Sequence, residues 1–224
     1  MVNSTLFNKC FDLLYAKVLE QQAVSGLKTF SFNEGFPAEQ EIYKYTVWDQ
    51  AHTIIEAIPW ETPNIVGSGI IKQAVLDALR VQPLPGWTQN LVDWNDILYF
   101  DGLQKTKELE KGLYELYHNN NDEIAFKSIQ AVVKNKFALI SYFFFIKDRE
   151  KYAVVRPKNF AWRFQAIGVK KPCTLQCSWN NYTTFMAVLQ EVKDLLTLRI
   201  SDVTLLDAHS FIWMMWMIKD ELGF

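Results

Sequence analysis

The chain has 224 residues, half of them hydrophobic and 21% charged, with a formal net charge of −2. That length and apolar content support a substantial buried core and exclude a disordered chain, while the near-neutral total argues against a general nucleic-acid coat protein. Three cysteines make no disulfide framework, and the longest apolar runs, 137–146 and 211–218, fall short of the roughly 18 residues a membrane span needs. Asn8, Lys9 and Asp12 interrupt any hydrophobic stretch after Met1, so no signal peptide is read and a cytoplasmic location is expected.

Helical periodicity dominates the chain. Ser4 is placed to cap a first helix carrying Leu6, Phe7, Phe11, Leu14, Tyr15 and Val18 at three- and four-residue steps, with Gly26 ending it. Residues 27–32 suit a short extended piece, and Asn33-Glu34-Gly35-Phe36-Pro37 a turn. A second helix presents Tyr43, Val47, Trp48, Ala51, Ile54, Ile55 and Ile58 and stops before Pro59. Ser68 suits the cap of a third, through Ile70, Ile71, Val75, Leu76 and Leu79. Residues 82–103, with Pro83, Pro85, Gly86, Trp87 and Trp94, read as an irregular segment that packs down.

Helices are expected again at 104–117 and 122–133, separated by a turn at Asn119-Asn120-Asn121. The run 137–146 fits a buried helix or a strand, and the flanking periodicity favours helix. Residues 152–155 are the best strand candidate, before Pro157 opens a short helix that Gly168 ends. Over 178–198 the positions Tyr182, Phe185, Leu189, Val192 and Leu196 form a packing seam, and a last helix begins near Asp207. Ile212 and Trp216 are expected in the core with that seam. The run 211–218 is apolar around its whole circumference, so it is either fully buried or seated against a partner. The expected fold is mainly α, a compact multi-helix bundle of about seven or eight helices with a minor extended element. It forms one domain or two lobes, 1–81 and 104–224, joined by 82–103.

The chemistry-bearing residues form no complete catalytic set. Asp49, His52 and Glu56 share one helix face and could offer part of a metal site, or form a solvated face with a local His–carboxylate pair; no second ligand set accompanies them. Cys173 and Cys177 are half a zinc site at most and fit packed thiols better. Gly67-Ser68-Gly69 precedes a helix and could cradle an anion, but lacks the Gly-Lys-Ser/Thr ending of a phosphate loop and also reads as a turn with a capping serine. Glu191-Val192-Lys193 sits mid-helix, out of place for a metal nuclease. No cofactor or metal is expected.

Charge is unevenly distributed. Residues 134–171 carry ten Lys and Arg against Asp148 and Glu150, a net +8 that leaves −10 on the remainder. Within this window Lys134, Lys136, Arg156, Lys158, Arg163, Lys170 and Lys171 are the candidate phosphate contacts for DNA or RNA, if they converge on one surface. The alternative is that they pair with the acidic remainder or face solvent in scattered directions.

Three segments carry a resemblance: Arg156-Pro157-Lys158-Asn159-Phe160, Cys177-Ser178-Trp179-Asn180-Asn181-Tyr182, and Leu205-Leu206-Asp207-Ala208-His209-Ser210-Phe211-Ile212-Trp213. In these the chain resembles a group of largely uncharacterised, defence-associated bacterial and phage proteins, some with this region ahead of an HNH or restriction-type nuclease domain. The chain ends at Phe224, just after the third segment, so the resemblance implies a recognition or regulatory role rather than a catalytic one. Two functions are expected from residues and resemblance together. One is a non-catalytic nucleic-acid-binding or recognition component of a defence system. The other is a protein-interaction module, such as an inhibitor or accessory subunit, acting on a protein partner or by self-association.

Overall fold

A computed structural model describes residues 1–83, 91–171 and 173–224. In chain order the helices are α1 (Ser4–Gln21), α2 (Gly35–Glu41), α3 (Tyr43–Glu56), α4 (Ile70–Leu79), α5 (Trp94–Asp101), α6 (Thr106–Tyr117), α7 (Asp122–Val133), α8 (Phe137–Lys147), α9 (Pro157–Ala166), α10 (Trp179–Thr197) and α11 (Leu205–Met214). Short 3₁₀ turns, Ala23–Ser25 and Met215–Ile218, extend α1 and α11. No strand occurs among the described residues, and none of their helices is long and apolar enough to cross a membrane.

The all-α class follows the sequence, but several local expectations do not. Residues 152–155 are buried without being a strand: the Val155 N–H donates to the Ser141 hydroxyl at 2.9 Å instead of to a neighbouring backbone. The presumed turn at 33–37 opens α2, which starts on Gly35 at φ +66, where a side chain would collide with the Gln22 amide oxygen at 2.6 Å. The segment 82–103 contains α5, introduced by Asp93 and carrying Asp96 in its first turn, where acid suits the helix dipole. The rest of that segment's punctuation, Pro85, Gly86 and Trp87, lies outside the described residues.

Contacts group the chain into two compact units: Met1–Tyr43 with Arg156–Leu175 and Asn181–Phe224, and Lys44–Val155 with Gln176–Asn180. In the first unit, Asn3 rather than Ser4 caps α1, its side-chain oxygen accepting from the Leu6 N–H at 3.0 Å. Phe7 and Phe11 then pack on Phe211 of α11, with ring centres 5.3 and 6.2 Å apart. Tyr182, Phe185, Leu189, Val192 and Leu196 are all fully buried, so the seam of α10 is core. Thr204 and Asp207 form a reciprocal capping box for α11: the Asp207 N–H reaches the Thr204 hydroxyl at 3.1 Å and the Thr204 N–H reaches the Asp207 carboxylate at 2.8 Å. The last helix thus begins near Asp207 as expected, with Thr204 as its cap and Asp207 as the third residue of its first turn.

The apolar run 211–218 is only partly enclosed. Phe211, Ile212, Met214, Met215 and Ile218 are buried, but Trp216, expected in the core, is 52% exposed. The chain tightens from α to 3₁₀ geometry at Met215. At three residues per turn Trp216 falls in line with the half-exposed Trp213 instead of the Ile212 face.

The second unit is built on α8, in which residues 137 and 139–146 are all buried. A helix apolar on every side needs neighbours on every side, and its buried Ser141 donates to Phe137 O at 2.8 Å within the helix. The α6 and α7 helices approach so closely that a Cβ at Gly112 would lie 2.8 Å from Ile129 Cγ1 and 3.1 Å from its backbone nitrogen. The intervening Asn119-Asn120-Asn121 turn places Asn120 at φ +55, a conformation asparagine tolerates.

Candidate functional site

The basic window is divided between the units and, within each, between committed and exposed charges. In the second unit, Lys136 pairs with Asp96 at 2.9 Å and lies 4.8 Å from the Tyr99 ring centre. Lys147 and Lys151 converge on Asp122 at 2.5 and 2.8 Å, and the Tyr152 hydroxyl donates to the same carboxylate. Burial works against ionising Asp122, but these hydrogen bonds outweigh it and hold its carboxyl below the usual range. Arg149 stacks 4.3 Å from the Trp48 ring and reaches Asp49 at 3.2 Å. Lys134 adopts φ +61 just after α7 and donates to Ala131 O at 3.0 Å. Much of this half of the window is thus neutralised in place.

In the first unit, Arg163 is the exception to its residue type. It is only 5% exposed, with Nη1 donating to Asn159 O and Nη2 to Trp213 O at 3.1 Å, while Nε has no acceptor among the described residues. Its guanidinium lies 4.6 Å from the Trp162 ring and 5.2 Å from that of Trp213. Burial, partly offset by the charge of Glu41, lowers its pKa to about 10. A guanidinium so enclosed lacks the surface a phosphate contact requires; it braces two tryptophans.

The other four candidates of this unit gather about α9. Arg156 is the half-buried residue preceding the helix, Pro157 occupies its first turn, and Lys158 is exposed beside it. After α9 the chain passes exposed Lys170 and Lys171 and returns, the Thr174 hydroxyl donating to Pro157 O at 3.2 Å. Thr174, three residues after Lys171, thus lies against the start of α9. Among the described residues, Lys158, Lys170 and Lys171 have no carboxylate partner.

The remaining motifs resolve into structural roles. Gly67-Ser68-Gly69 does cradle an anion, but an internal one: the buried Glu110 carboxylate accepts from Gly67 N at 2.6 Å, Gly69 N at 3.2 Å and Lys72 N at 2.9 Å. Gly69 N and Lys72 N belong to the start of α4 and Gly67 N to the loop before it, so the side chain of α6 occupies the place a phosphate would take. Ser68 donates to Ile65 O at 2.6 Å and accepts from Ile70 N at 3.2 Å, closing the turn.

Asp49 turns to Arg149, while His52 meets Glu56 at 3.2 Å and Ile146 O at 2.8 Å, the local His–carboxylate pair of a helix face. No group of three His, Cys, Asp or Glu side chains that could hold a metal occurs among the described residues. Burial pushes the Cys173 thiol up to about 11 and the Cys177 thiol up to about 12, suppressing the reactive thiolate. His209 is buried against the Phe160 ring at 5.0 Å. Glu191 takes the Val2 N–H at 2.5 Å. An open hollow of about 640 Å³ beside Trp60 is lined by Ile58, Pro59, Glu61, Thr62, Pro63 and His118; no Ser, Cys or Lys lines it.

One feature of α9 escapes charge counting. Lys158 and Trp162 stand four residues apart, hence on one helix face, and Trp162 also meets Phe224 with ring centres 5.5 Å apart. The Lys-x-x-x-Trp spacing was available in the sequence; the contribution of Phe224 was not. Comparison of the chain with protein-family models, curated proteins and solved structures yields no match.

Proposed function

We propose that the protein is a non-catalytic nucleic-acid-binding or recognition component of a bacterial or phage defence system, contacting phosphates through Arg156, Lys158, Lys170 and Lys171. The observation that carries this reading is the Thr174–Pro157 tether, which brings the chain just after Lys170 and Lys171 against the start of α9. Exposed lysines without carboxylate partners keep their charge available to a polyanion. The helix N-terminus adds its own partial positive charge at the same place. The defence setting rests on the resemblance of the Arg-Pro-Lys-Asn-Phe, Cys-Ser-Trp and Asp-Ala-His-Ser segments. Fluorescence anisotropy with labelled DNA and RNA at low salt tests it: Lys158→Ala/Lys170→Ala/Lys171→Ala should weaken binding at least about tenfold and reduce the salt dependence. Unchanged affinity in that variant would remove the proposed site.

A protein-interaction module is the second reading, favoured by the exposed Trp216 and Phe224. Tryptophan is enriched where binding energy concentrates at protein interfaces. On that reading the polyanion affinity is absent and the aromatic face meets a protein partner.

A further inference from the structure

The exposed rings of the first unit interleave with cations. The Lys219 ammonium lies 6.0 Å from the Trp162 ring centre. Lys219 follows Trp216 by three residues, with its N–H 3.4 Å from Trp216 O, so both side chains leave the same side of a tightened turn. Phe224 closes back on this turn, its N–H reaching Lys219 O at 3.2 Å, and its ring is 40% exposed. The surface therefore runs from Trp216 to Lys219, to Trp162 with Phe224, and on to Lys158. Trp216 is more than half exposed, and no ring or cation stacks on it among the described residues.

Alternation of ring and ammonium discriminates among partners. A duplex offers phosphates outward while its bases stack on one another, so an exposed indole gains nothing from it. An apolar protein surface would have to strip water from two ammonium groups without compensation. A single strand presents both an unstacked base and its flanking phosphates. The acids nearby do not reverse this balance: exposed Glu221 is paired with Lys17 at 3.3 Å, and Asp220 is exposed beside Lys219.

We infer that the first unit binds single-stranded nucleic acid, with an unpaired base stacked on Trp216 and the adjoining phosphates held by Lys219 and Lys158. This rests on the nucleic-acid reading above and adds the strandedness of the ligand and the residue that selects it. The buried Arg163, lodged between Trp162 and Trp213, fixes the rings that border the track.

The test compares oligo-dT and oligo-rU of about 20 nucleotides with a duplex of equal length, using the full chain and Trp216→Ala. Trp216 is a surface side chain, so circular dichroism and melting should match the parent. Trp216→Ala should weaken single-strand binding about tenfold and leave any duplex binding unchanged. If the parent binds oligonucleotides but Trp216→Ala binds single strands equally well, the stacking inference falls while the phosphate site stands. If the parent binds no oligonucleotide and instead forms a dimer that Trp216→Ala dissolves, the face is a protein contact and both are overturned.

Discussion

Replacing Glu110 by alanine should destabilise the fold by about 2–4 kcal/mol, a figure that can be built from its contacts. The carboxylate takes three backbone N–H groups, those of Gly67, Gly69 and Lys72, at 2.6, 3.2 and 2.9 Å. Each hydrogen bond to a charged group contributes about 1.5–3 kcal/mol, which sets an upper bound well above the expected net loss. Two effects reduce it. Gly67 and Ser68 lie at the surface, so water can reach the freed donors, and removing the side chain relieves the desolvation of a buried ion. Glu110→Gln should cost about half as much, because one oxygen still accepts while the new amide group opposes the remaining donors. Urea denaturation followed by circular dichroism gives the free energies, and hydrogen exchange should accelerate selectively at Gly67, Gly69 and Lys72. An alanine variant within about 0.5 kcal/mol of the parent, with exchange unchanged at those amides, would refute the internal-anion account.

Two further outcomes follow from burial and charge. Leu189→Ala, in the fully buried seam of α10, should cost about 2–5 kcal/mol in the same urea assay, and a near-neutral result would mean α10 is not core. Asp122, whose pKa is lowered in the folded state, stabilises above its unfolded value of about 3.9, and that contribution is lost as pH falls through the folded value. Asp122→Asn should therefore lower stability by about 1–2 kcal/mol at pH 7 and flatten the acid limb of the stability–pH curve; an acid limb identical to the parent's would contradict the Lys147–Lys151–Tyr152 arrangement.

Long periodic stretches told most about the fold. The helix expected at 122–133 is α7 as observed, 137–146 is helical, Pro157 opens α9, and the five seam positions of α10 are buried. The short helices α2 and α5 were hidden because seven or eight residues carry too little periodicity to outweigh Gly35, Pro37 and the prolines of 82–103. Residues 152–155 have strand composition, but a strand needs a partner strand, and pairing is not a local property. Trp216 is expected in the core because the run 211–218 is apolar throughout, but the 3₁₀ turn from Met215 brings it to the surface.

The candidate site was legible as a list of cations, not as a surface. Residue type places arginine outside by default, whereas Arg163 is enclosed by two indoles and two carbonyls contributed by α9 and α11. Likewise Glu110 and the loop it fills are more than forty positions apart in sequence, so neither announces the other. The aromatic members Trp162, Trp216 and Phe224 were readable only as apolar residues, since the alternation with Lys158 and Lys219 depends on tertiary placement.

The central claim is that an exposed cationic edge at α9 binds nucleic acid. Titrating the full chain with labelled single-stranded oligonucleotide across a salt series measures this directly. Affinity should fall steeply with salt, with a log–log slope near −0.7 for each phosphate neutralised, and the slope should shrink by about 2 in Lys158→Ala/Lys170→Ala/Lys171→Ala. No binding at micromolar protein and low salt, or a slope unaltered by removing the three lysines, would contradict it.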